Sequence, residues 1–133
     1  MNFILRYIRN YYLTIIYTLM VLFLCLMPSS GMQVDVKISD KVVHFLMFFV
    51  LTLLLWGEYT FHYIYKRREN KIRWNGQLLY PLSIGILTEL LQHYATSYRT
   101  GDFYDLLADI GGTLSAFLIG YIICHYIKKD IQK

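Results

Sequence analysis

The sequence contains no internal repeat, no low-complexity tract and no flexible linker, which excludes repeat arrays and leaves a single domain over residues 1–133. Charge is also scarce. Only 17% of residues are charged, against 56% hydrophobic and 17% aromatic, and that balance is too apolar for an ordinary soluble domain of this length. The net charge of +4 does not point to nucleic acid, because the lysines and arginines sit in short clusters beside long apolar runs and leave no soluble domain to bind one. There are two cysteines, Cys25 and Cys124, expected near opposite ends of different helices and so too far apart for a disulfide. After the first apolar run, "LMPSSGMQ" lacks an A-x-A cleavage pattern, so that run reads as an uncleaved helix. No nucleophile is paired with a base, and no phosphatase or protease motif is present.

What is present is a set of four apolar runs, at about 11–27, 42–65, 78–95 and 103–127. Each is roughly long enough to cross ~30 Å of hydrocarbon at about 1.5 Å per residue. The expected fold is an all-α membrane protein, a four-transmembrane-helix bundle. Ten of the 13 basic residues (Arg6, Arg9, Lys66, Arg67, Arg68, Lys71, Arg73, Lys128, Lys129 and Lys133) then fall on one side, with Lys37, Lys41 and Arg99 on the other. Basic flanks mark the cytoplasmic face, so both termini are expected there.

The polar residues inside these runs are the candidates for function, since an ionisable group in a membrane helix is costly unless it faces protein, water or an opposite charge. Ser39 or Asp40 is expected to cap the second helix, and Lys41 and His44 lie on one face just inside it. Glu89 and Gln92 share a face of the third helix, Glu89 about 9 Å from its end. The fourth run opens with "SYRTGDFYDLLADIGG", placing Arg99, Asp102, Asp105 and Asp109 at its mouth. At 100° per residue, the three aspartates share a side with Gly112, Thr113, Ala116 and Gly120, whose small residues suit close helix packing. Taken singly, the lysine reads as a snorkelling residue and the histidine as a hydrogen-bonded packing residue. Taken together, three helices bring Lys41, His44, Glu89, Gln92, Arg99, Asp105 and Asp109 to one outer level, which predicts a shared binding site. A second row, Glu58, His62 and Lys66, approaches the inner interface and reads as an exposed ladder of surface pairs, as do His93 and His125 near their own helix ends.

The segments "SDKVVHFLMFFVLTLLLW" and "ILTELLQHYATSYRTGDFYDLLADIGGTLSAFLIG" resemble the VanZ-like family of small bacterial membrane proteins. Its pattern is Asp-Lys-x-x-His, then Glu-x-x-Gln, then an Arg leading into Asp-x-x-x-Asn-x-x-Gly. Onto this chain it carries Asp40, Lys41 and His44, then Glu89 and Gln92, then Arg99, Asp105 and Gly112, with Asp109 standing where the family commonly has asparagine. The resemblance implies a multi-pass protein of the bacterial cytoplasmic membrane, connected with the cell envelope and with the response to glycopeptides such as teicoplanin.

Three functions fit these residues. The first is binding of membrane lipids or a lipid-linked envelope component, with Arg99 and Lys41 suited to a phosphate and a divalent cation held by Glu89, Asp105 and Asp109 offsetting the excess of acids. The second is an intramembrane enzyme acting on a lipid-linked intermediate, with His44 or Glu89 as general base. The third is a structural network in which the polar groups hold the helices together.

Overall fold

A computed structural model describes residues 3–27, 36–65, 74–95 and 103–133. They form α1 (Phe3–Asn10), α2 (Tyr12–Leu26), α3 (Val36–Tyr59), a π-helical turn (Thr60–Tyr65), α4 (Trp74–Ala95) and α5 (Phe103–Ile131). The protein is therefore all-helical, as its apolar runs imply. Among the described residues, two segments are long and apolar enough to cross a membrane, Lys41–His62 and Phe103–Ile131, and the α1–α2 pair makes a third if counted as one bent span. This is fewer than four because α4 carries Gln77, Glu89, Gln92 and His93 along its 22 residues. The basic cluster at 66–73, on which the expected orientation rests, lies outside the described residues.

Helix α3 begins at Val36, so Ser39 and Asp40 lie within its opening turns instead of capping it. No glycine or proline interrupts "VKISDK", and the helix runs upstream through it. Helix α3 packs along α5 and also touches α2 and α4. Val21 and Cys25 of α2 and Phe48 and Leu51 of α3 form the apolar centre, with Tyr80 and Ile84 of α4 against it. The small-residue stripe of α5 faces α3. Gly112, Ala116 and Gly120 are buried, a Cβ on Gly112 would collide with the carbonyl oxygen of Phe45, and one on Gly120 would lie 2.5 Å from the Trp56 ring. Trp56 fills that seat and meets Phe117 edge-on at 5.5 Å. Cys25 and Cys124 are buried free thiols, as expected. Buried hydroxyls turn back onto their own helices, as in Thr52 to the Phe48 carbonyl (2.9 Å) and Thr18 to the Thr14 carbonyl (2.7 Å), which spares a polar group from facing hydrocarbon.

The first apolar run forms the single helix α2, and a separate short helix, α1, precedes it. α1 and α2 meet at 82°, with the break at Tyr11, whose φ of −124° and ψ of 28° leave the helical region without a local side-chain cap. The missing cap comes from Glu58, 45 and 44 residues along the chain from the two amides it receives. Its carboxylate accepts from the Leu13 N–H (2.9 Å), the Thr14 N–H (3.1 Å) and the Thr14 hydroxyl (2.6 Å). A negative group here satisfies free amides and complements the helix dipole. The expectation of an exposed ladder is thus corrected, because Glu58 and His62 are both buried, while Lys66 lies outside the described residues. His93 and His125 are exposed. Glu58→Ala should lower stability by about 3 kcal/mol, the scale of losing several charge-assisted hydrogen bonds, whereas Glu58→Gln should recover part of it. Chemical denaturation in mild detergent measures the difference.

Candidate functional site

Charged side chains of α3 and α5 interleave along the seam between those helices. On α3, Lys41 and His44 are three residues apart and present to the same face; on α5, Asp105 and Asp109 are one turn apart and present back. Lys41 Nζ donates to Asp105 Oδ1 at 3.2 Å. Asp105 Oδ2 is 3.9 Å from His44 Nε2, and the other ring nitrogen, Nδ1, is 3.0 Å from Asp109 Oδ1. The order along the seam is therefore lysine, aspartate, histidine, aspartate. His44 and Asp109 are each 1% exposed, while the Lys41 side chain remains 32% exposed and lies 5.9 Å over the Tyr104 ring.

Helix α4 completes the cluster. A position on Glu89 comes within 4.8 Å of ligand atoms on both His44 and Asp109, so three helices meet at one point. Gly85, one turn before Glu89, lets the α4 backbone lie close to Asp109. A Cβ there would be 3.4 Å from Asp109 Cβ and 3.5 Å from its Oδ2. Gln92 shares the helix face but does other work. Its amide donates to the Cys25 carbonyl at 2.8 Å, near the C-terminal end of α2, where helix carbonyls lack intrahelical partners.

Of the residues singled out from sequence, Lys41, His44, Glu89, Asp105 and Asp109 thus come together. Gln92 adjoins them as a tether to α2, and Arg99 and Asp102 lie outside the described residues. Candidate bases His44 and Glu89 both belong to the cluster. Of the cation candidates Glu89, Asp105 and Asp109, Glu89 and Asp109 converge with His44, while Asp105 is paired with Lys41 at the seam's edge. Sequence reasoning missed Gly85 and the buried role of Glu58. The four-residue spacing of Gly85 and Glu89 was a usable signal for the first; nothing local announced the second.

What these polar groups can do follows from their types. Three carboxylates, one ammonium and an imidazole in a largely buried setting can hold a cation, bind a phosphate through it, or move a proton between carboxylate and imidazole. Each of these needs the ionised groups to be matched, since unpaired charge is costly there.

Comparison with known proteins changes the family and the location expected from the motifs. No family model matches the chain, and no solved structure matches it. An uncharacterized protein of the fission yeast Schizosaccharomyces pombe is 31% identical over 98 residues, 74% of this chain and 54% of the relative. The chain spans about half the length of the curated relative it matches. With a eukaryotic relative and no matching family model, the VanZ-like assignment is overturned, and with it the bacterial cytoplasmic membrane, the cell envelope and the link to teicoplanin. The three motifs that suggested them are short, and polar residues at three- and four-residue spacings arise wherever membrane helices must pair their charges.

Proposed function

We propose that this chain is a four-span integral membrane protein, with both termini cytoplasmic, whose polar cluster binds the phosphate-bearing headgroup of a membrane lipid. The observation that carries the reading is the meeting of ionisable side chains from α3, α4 and α5 at one level, with His44 and Asp109 buried and Lys41 at the exposed edge. A network needed only for cohesion is a poor use of such groups, because apolar residues of similar volume hold helices together at least as well. Four spans are supported by α4, whose 22 residues reach about 33 Å and whose Thr88 and Gln92 are buried against protein instead of facing outward. The orientation is supported by the ten basic residues that collect on one side of such a bundle.

Lipid retained through gentle purification tests the headgroup reading. Mass spectrometry of the wild-type protein should show bound phospholipid, and Glu89→Gln and Lys41→Ala should each reduce it about tenfold, equivalent to roughly 1.4 kcal/mol, while the helical content stays the same. Equal retention in all three proteins would instead assign the cluster to cohesion alone.

A further inference from the structure

We propose that His44, Glu89 and Asp109 form a binding site for one divalent first-row transition-metal ion, buried where α3, α4 and α5 meet. The inference deepens the headgroup reading, on which it rests for the ion's purpose: a metal ion is what would draw a phosphate into a cluster dominated by carboxylates. The ion's binding itself requires no lipid.

Three features support the site. Each of the three residues offers one ligand atom, all within 4.8 Å of one another, and they come from three different helices, so the arrangement is set by rigid elements. His44 Nδ1 and Asp109 Oδ1 share a hydrogen bond at 3.0 Å, and that separation is also the edge between neighbouring ligands about 90° apart on an ion with bonds of about 2.1 Å. The other nitrogen of His44 faces Asp105, which Lys41 holds in turn at 3.2 Å. At 3.9 Å this carboxylate is beyond hydrogen-bond distance, but its charge on that side of the ring favours a proton on Nε2 and leaves Nδ1 as the ligand, the role a carboxylate behind a metal-bound histidine commonly has.

The donor set also selects the ion. Magnesium and calcium prefer shells made entirely of oxygen, whereas an imidazole nitrogen beside two carboxylates suits zinc, manganese, iron or cobalt. On binding, the imidazole supplies a neutral lone pair and both carboxylates are ionised, so any proton they held is released to solvent. Three protein ligands leave further positions, which a phosphate oxygen or water can take.

The test uses the full chain with the exposed His93 and His125 each replaced by asparagine, stripped with a chelator and titrated with Co2+ in detergent without added phospholipid. We expect one Co2+ per chain with a visible absorption band, displaced by Zn2+ and not by Mg2+. His44→Asn should weaken binding at least about tenfold. Asp105→Asn should weaken it about tenfold while leaving the stoichiometry unchanged, as expected when the partner behind a ligand is lost. Absence of the band, unchanged binding in His44→Asn, or displacement by Mg2+ would overturn the site. If His44→Asn fails to fold, X-ray absorption of the Zn2+-loaded protein with His44 intact decides instead: one imidazole with oxygen ligands supports the site, and an all-oxygen shell refutes it. Lipid retention without Co2+ binding would remove the ion and leave the headgroup reading standing; Co2+ binding without lipid retention would do the reverse.

Discussion

Gly112→Leu should abolish the native packing of α3 on α5. The smallest possible side-chain carbon at this position already collides with the Phe45 carbonyl oxygen and sits 3.1 Å from the Phe49 nitrogen, so the obstacle is backbone and cannot rotate away. The helices would have to separate, opening the seam that contains Asp105, Asp109 and the Trp56 seat at Gly120. Overpacking commonly costs about 1–3 kcal/mol, and a clash against backbone lies beyond that range, so loss of the monodisperse folded protein is the expected outcome. Gly57→Ala supplies the contrast. Nothing lies within 4 Å of the added carbon, so that variant should be as stable as wild type or slightly more stable, through the better helix propensity of alanine. Size-exclusion profiles and thermal unfolding of the two variants, compared in the same detergent, measure both effects. A well-folded Gly112→Leu protein would contradict the α3–α5 interface.

His44→Ala is expected to have the second large effect. The imidazole is 1% exposed and stands between two carboxylates, 3.0 Å from Asp109 Oδ1 and 3.9 Å from Asp105 Oδ2. Removing it leaves buried acids facing each other across an empty space, and breaking a buried pair in this way costs about 3–5 kcal/mol. Asp109→Asn should cost less, because the amide can still accept a hydrogen bond from the ring. The double variant should be more stable than the sum of the two single effects implies, with a coupling of about 1–3 kcal/mol, since the second change removes the carboxylate stranded by the first. A double-mutant cycle by denaturant titration measures the coupling. Additive effects would mean that His44 and Asp109 do not act as a pair.

Much of this cluster was legible from residue types and helical spacing. The three-residue steps from Lys41 to His44 and from Glu89 to Gln92, and the four-residue step from Asp105 to Asp109, each place two polar side chains on one helix face whatever the bundle looks like. The stripe of Gly112, Ala116 and Gly120 was equally plain, since small residues at one-turn intervals mark where a neighbouring helix comes closest. Spacing alone did not assign the partners within the cluster. Gln92 lies on the same face as Glu89, yet its amide goes to the Cys25 carbonyl. Glu58 and His62 show the same limit more sharply, because their spacing on α3 fits an exposed ladder as well as it fits a buried face.

Composition and periodicity by themselves thus determined that the chain is helical, apolar enough for membrane spans, and provided with polar groups on the packing faces of three helices. These features depend on local backbone geometry, in which each residue's direction follows from its position along the helix. Only the tertiary structure decided that a separate short helix, α1, meets the first apolar run at 82°, that Glu58 caps the α2 helix begun there, and that His44 joins Glu89 and Asp109. Each of those outcomes depends on the relative rotation and depth of helices far apart in sequence. That placement is set by side-chain packing between helices, which the periodicity of any one helix does not contain.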